Sequence, residues 1–110
     1  MPLDIQEILT DSLKAGKEIA GKAWKDVKPF AEHESRQFAE DVEFLLQLKA
    51  NGTIDDEELK ARLSFLKSGF TNVFLAIKGI GILQAQNLVN AIIGIVSKSV
   101  LSAFNISLPI

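Results

Sequence analysis

The C-terminal third of this chain is almost free of charge, and this constrains its fold more than any other feature. From Gly69 to Ile110 the charged residues are Lys78 and Lys98, whereas residues 1–68 hold all fourteen acidic residues. Apolar surface is unfavourable in water, so a segment of this composition must be covered by something. The sequence therefore predicts that this third packs into the chain's own core, against another protein or into a membrane.

The spacing of apolar residues predicts an all-α fold with three to four helices in a single domain, residues 1–110. A Lys-rich first segment, 1–28, has a helical apolar stripe. Gly16 and Gly21 each cost it about 1 kcal/mol as helix-interior residues. Pro29 predicts a break or kink after this weaker helix. Residues 31–104 then form the predicted bundle core.

A capped hairpin is predicted in the middle of the chain. An amphipathic helix ends at Asn51-Gly52, because both residues tolerate the left-handed conformation found after a helix C-terminus. Asp55 stands three residues before Glu58, which is capping-box spacing, and Thr53 is the alternative cap. Two helices joined by so short a connection predict an antiparallel helical hairpin.

The next two helices are predicted to be long and apolar. Apolar residues of the third helix step by four and three, as in the seam of a coiled coil. The members of this seam are Leu59, Leu63, Leu66, Phe70, Val73, Ile77 and Ile80. Gly79 and Gly81 predict a turn, and a last helix over 83–104 has a broad apolar face with little polar cover.

A core of this size covers only one of these apolar faces, so we expect the chain to associate with another copy of itself. The expected role is a non-enzymatic structural or interaction protein, working as a homo-oligomer or as a small subunit of a larger protein assembly. The residues predicted to line the oligomer interface are Leu63, Phe70, Val73, Ile77, Leu88, Ile92, Ile95 and Val96.

The alternative is a membrane-associated or membrane-inserting protein of the pore-forming or lysis type. Residues 79–97 form a run of 19 without charge, nearly the length that spans a bilayer. The four amides of Gln84, Gln86, Asn87 and Asn90 oppose this, because amides are costly in hydrocarbon. A possible face for a membrane or another anion consists of Lys14, Lys17, Lys22, Lys25 and Lys28.

No residue pattern indicates catalysis, a metal or a cofactor, so we expect none of them. The chain has no Cys, and the flanking acids of its single histidine, His33, point about 100° away on a helix. An EF-hand-like stretch around Gly52 has Lys49 where a calcium ligand belongs. A net charge of −2 does not favour nucleic acid. The N-terminal MPLDIQEI is not typical of a secretory signal, which predicts a cytoplasmic protein or, in the alternative, a membrane-associated one.

Residues 45–63, LLQLKANGTIDDEELKARL, resemble the short SHOCT motif of bacterial proteins. That motif joins two helices through a Gly-Ile/Thr turn followed by acidic residues. The resemblance implies an oligomerisation or interaction element rather than chemistry. A capped helical hairpin accounts for the same residues.

Overall fold

The computed structural model of the chain describes residues 3–110, and over that range the protein is all-helical. A single 3-10 turn, Gly21–Ala23, separates the first two α-helices. The helices are α1 (Ile5–Ala20), α2 (Trp24–Ala50), α3 (Asp56–Leu75) and α4 (Ile82–Phe104).

Each helix packs against two neighbours, because α1 and α3 both contact α2 on one side and α4 on the other. The longest dimension of the molecule is 44 Å, close to the length of about 40 Å expected for α2 at 1.5 Å per residue. The helices therefore run along the long axis and the turns lie at its two ends. In α2 and α3, Phe38 stacks on Phe70 at 4.8 Å, and Lys49 pairs with Asp56 at 3.2 Å. Contacts in this order belong to two helices that run in opposite directions.

A single hydrophobic core draws on all four helices. The inner face of α4 is at its centre, since its residues 88, 92, 96 and 100 have no exposed surface. The fully or almost fully buried apolar side chains that meet there are Ile8, Val27, Val42, Leu63, Phe74, Leu88, Ile92, Val96 and Val100. The almost uncharged C-terminal third is thus covered on one side by the chain's own helices.

The helix is interrupted at Gly21. The predicted break at Pro29 is wrong, because α2 continues through that residue. Gly21 has φ 55° and ψ −119°, a conformation that glycine adopts readily, and its N–H closes α1 on the carbonyl of Lys17. Pro29 lies within the second turn of α2, where it removes only the hydrogen bond to the Lys25 carbonyl. The Lys-rich segment 1–28 is consequently not one helix but α1, a turn and the start of α2.

The predicted hairpin caps are confirmed. The Asp55 carboxylate accepts a hydrogen bond from the Glu58 N–H at 2.8 Å, and Gly52 has φ 76°. The third helix is shorter than its apolar pattern, because it ends at Leu75 and Gly79 turns the chain with φ 92°. Ile77 therefore joins the core from the connection to α4 rather than from a helix.

Replacing Asp55 with Ala should lower the free energy of unfolding by about 1 kcal/mol, because the N–H of Glu58 loses its acceptor. Chemical denaturation followed by circular dichroism measures the change. Thr53→Ala is the matched control, since α3 does not use Thr53 as its cap. Equal destabilisation by the two variants would contradict this account of the cap.

Gly16 allows a close approach between α1 and the indole of Trp24. A Cβ at Gly16 would lie 2.7 Å from Cζ3 of Trp24 and 3.4 Å from a methyl of Leu88. Gly16 is itself buried. The glycine that weakens α1 as an isolated helix thus makes room for the side chain that covers it.

Gly16→Ala and Gly94→Ala should change stability in opposite directions. Gly94 lies in an exposed part of α4 with open space around it, so alanine there should add about 1 kcal/mol. At Gly16 the same gain is outweighed by an overpacking cost of about 1–3 kcal/mol. Thermal unfolding gives the two signs. The fluorescence of Trp24, the single tryptophan, should shift in Gly16→Ala alone.

Candidate interaction surfaces

The residues predicted to line an oligomer interface lie mostly inside the chain's own core. Among the eight, the six buried ones are Leu63, Phe70, Ile77, Leu88, Ile92 and Val96. Val73 and Ile95 are partly exposed. The six buried side chains are covered by the chain's own helices, so within the predicted set Val73 and Ile95 are the residues open to a second copy.

The two aromatic side chains with the highest exposed fraction lie beside a groove between α2 and α3. Phe65 is 81% exposed and Phe44 is 57% exposed. Together with Leu66 and Ala61 they line a hollow of about 700 Å³, which we call the α2–α3 groove. A Phe side chain left in water forgoes about 1.5–3 kcal/mol that burial would provide. Covering these two rings would therefore be favourable by several kcal/mol.

Helix geometry explains why Phe65 faces solvent. The buried residues of α3 are Leu59, Leu63, Phe70 and Phe74. Phe65 follows Leu63 by two positions, a rotation of about 200°, so it points away from the core. Phe65 is not among the residues predicted to line an interface. The sequence does contain an indication of its exposure, because this aromatic residue lies outside the four-three spacing of the apolar residues in α3.

The α2–α3 groove continues along α2 and has a mainly acidic rim. A smaller hollow of about 190 Å³ extends it past Gly69, which leaves the space open because it has no side chain. Glu34, Asp41 and Glu58 stand on the rim of the combined groove. The one basic rim residue, Arg62, donates a hydrogen bond from Nε to Glu58 at 2.8 Å. The groove thus offers an apolar floor between charges of both signs.

A second groove, between α1 and α4, has many charged residues in its lining. Its hollow of about 640 Å³ is lined by the carboxylates of Asp4, Glu7, Asp11 and Glu18, and also by Lys14, Lys98 and two serines. Ile95 is the one member of the predicted interface that lines it. Within residues 3–110, no three carboxylate or histidine side chains are arranged so as to hold a metal ion.

The five lysines predicted to form one face are all exposed but do not share a helix face. Lys14 lines the groove between α1 and α4. Lys17 is in the last turn of α1, Lys22 is in the 3-10 turn, and Lys25 and Lys28 are in the first two turns of α2. The break at Gly21 has therefore gathered four of the five around one end of the molecule.

Of the described helices, α4 is long and apolar enough to cross a membrane by length and composition, with a mean hydropathy of 1.5 over its best 18 residues. One third of that window, 33%, is buried within the chain. Soluble core helices have the same composition, so this property alone does not distinguish the two settings.

Comparisons with known proteins find no match to this chain. No family model, no curated protein and no solved structure matches it. The resemblance of residues 45–63 to the SHOCT motif gains no support from these comparisons.

The burial of the predicted interface residues can be tested by replacing single side chains with alanine. Leu63→Ala and Leu88→Ala should each lower the free energy of unfolding by about 2–5 kcal/mol, because both side chains are completely buried. Phe65→Ala, on the exposed side of α3, should have little effect on unfolding of the isolated chain. Denaturant titration of dilute protein measures all three. Wild-type stability in Leu63→Ala or Leu88→Ala would show that the buried placement is incorrect.

Proposed function

We propose that this chain is a non-enzymatic interaction protein that associates with a second copy of itself through the α2–α3 groove. The observation that supports this most strongly is the exposure of Phe65 and Phe44 at an open apolar hollow. Exposed aromatic residues of this kind are enriched at protein interfaces, where their burial supplies most of the binding energy.

A two-fold arrangement suits this surface because the projection and the hollow lie side by side. In a dimer with two-fold symmetry the same patch is used on both copies, so the Phe65 ring of each copy would enter the groove of the other. Arg62 and Asp41 stand on the same rim and could pair across that interface. The other acidic rim residues of the two copies would repel each other, so burial of the aromatic rings must supply most of the attraction.

The area available indicates a weak dimer rather than a permanent one. Four phenylalanine side chains bury at most roughly 600–1,000 Å². Stable interfaces bury about 1,200–2,000 Å² in total, so the rim residues must supply the remainder. We therefore expect an association that depends on protein concentration. A different protein subunit that presents an apolar side chain to the groove would meet the same requirements.

The alternative function, insertion into a membrane, would use α4. To span a bilayer, α4 would have to leave the bundle, because Leu88, Ile92 and Val96 form the centre of the core. The burial of this face of α4 thus favours self-association over insertion as the use of the chain's exposed apolar residues. Binding to a membrane surface without insertion makes no such demand on α4.

Sedimentation velocity of the full chain at increasing concentration tests the dimer. We expect a reversible monomer–dimer equilibrium in the wild-type protein. The Phe44→Ser/Phe65→Ser variant should weaken it at least about 30-fold, since loss of an interface hot-spot residue costs about 2 kcal/mol or more.

The matched control is Leu101→Ser, which replaces an apolar side chain that is 50% exposed on α4. It should leave the equilibrium unchanged. A wild-type protein that stays monomeric at every concentration would exclude self-association. Equal dimerisation by Phe44→Ser/Phe65→Ser would show that the two copies meet through a surface other than the α2–α3 groove.

A further inference from the structure

The turn between α1 and α2 and the connection between α3 and α4 lie together at one end of the long axis. The Gln84 side chain joins them, because its amide donates a hydrogen bond to the Ile19 carbonyl at 3.3 Å. Gly79 also approaches the Asp26 carboxylate, and a Cβ there would lie 3.9 Å from the oxygen. We call this end, residues 17–28 and 75–83, the basic tip.

Aliphatic side chains are exposed at the basic tip. Ile82 and Leu83, the first two residues of α4, are 71% and 70% exposed, and Leu75 at the end of α3 is 42% exposed. Ile82 and Leu83 are the most exposed aliphatic residues among the large apolar side chains of the described chain. They lie next to Gln84, so the contact with Ile19 holds them at the tip.

Lysines surround these apolar residues. The tip segments contain five exposed lysines, Lys17, Lys22, Lys25, Lys28 and Lys78, against two acidic residues, Glu18 and Asp26. The tip therefore has a net charge of +3, although the whole chain has −2. No ion pair involves any of the five lysines within the described residues. Four consecutive acidic residues, 55–58, lie at the α2–α3 turn, far from the tip along the chain.

We propose that the basic tip binds an anionic lipid surface, with Ile82 and Leu83 entering the layer between the head groups and the lysines contacting lipid phosphates. Peripheral membrane binding combines the burial of apolar side chains with attraction to anionic lipids, and the tip presents both together. Each lysine held near such a surface raises the affinity about fivefold. The site goes beyond the proposed self-association and uses none of the residues of the α2–α3 groove.

The combination of side chains favours lipid over other anionic partners. A nucleic acid offers phosphates to the lysines but gives Ile82 and Leu83 nothing on which to stack, since stacking requires aromatic or planar groups. Small anionic ligands bind in concave sites, whereas these residues lie at one end of the molecule's long axis. A lipid layer deforms around such an end and supplies both hydrocarbon and phosphate.

Vesicle flotation with the full chain tests the proposal. The probes are vesicles of phosphatidylcholine alone and of phosphatidylcholine mixed with phosphatidylglycerol. We expect binding to the mixed vesicles at low salt, little binding to phosphatidylcholine, and loss of binding at high salt. Ile82→Ser/Leu83→Ser should abolish measurable binding, and Lys22→Gln/Lys25→Gln should weaken it about 25-fold.

Matched controls separate the tip from the rest of the surface. Leu101→Ser/Ile106→Ser removes two exposed apolar side chains from the end of α4 and the tail, and Lys60→Gln removes a lysine of α3. Both should bind like the wild-type protein. Phe44→Ser/Phe65→Ser should also bind, so failure of the proposed dimer leaves this test intact. Circular dichroism confirms that each variant is folded.

Several outcomes would overturn the proposal. Equal binding to both kinds of vesicle, or wild-type binding by Ile82→Ser/Leu83→Ser, would show that the tip is not the lipid site. Binding of duplex DNA or polyglutamate that is as tight as vesicle binding and unaffected by Ile82→Ser/Leu83→Ser would show that the lysines serve a different anionic partner. Loss of vesicle binding in Phe44→Ser/Phe65→Ser would show that the lipid-binding site lies at the α2–α3 groove and not at the basic tip.

Discussion

Burial of one face of α4 is the interaction on which the rest of the structure depends. The side chains of Leu88, Ile92 and Val96 have no exposed surface, and α1 and α3 pack on either side of this helix. Hydrophobic burial is the dominant favourable term in folding, and α4 is the least charged helix of the chain. The other three helices carry most of the charged residues of the protein, and these residues form its solvent-facing surface.

The dependence runs in both directions, as α1 shows. Gly16 weakens α1 as an isolated helix, yet its missing side chain leaves the space that Trp24 fills beside Leu88. Most helical stability in proteins comes from packing rather than from intrinsic propensity. The first helix is therefore a part of the core and not an appendage, which the Lys-rich composition of residues 1–28 does not reveal.

Two surfaces remain after the core is formed, and they differ in chemistry. The α2–α3 groove has exposed aromatic rings between acidic residues and Arg62, which favours another protein surface. The basic tip has exposed aliphatic residues among lysines, which favours an anionic lipid layer. A chain that used both would hold a second copy of itself along its side while its end rested on a membrane.

The sequence by itself determined the helical fold class, the turn at Gly52 and the start of the last helix, all of which follow from local physical rules. It left Asp55 and Thr53 as alternative caps of α3, and the structure decided for Asp55. Spacing also showed which apolar residues share a face, such as Leu63 and Phe70. Only the tertiary structure decided what covers each face, because periodicity gives the direction of a side chain and not its neighbour. It was also needed to place the break at Gly21 rather than Pro29, since either residue could interrupt a helix. The almost uncharged C-terminal third thus needed a cover on sequence grounds alone, and the packing of four helices showed that the chain itself covers one face of α4.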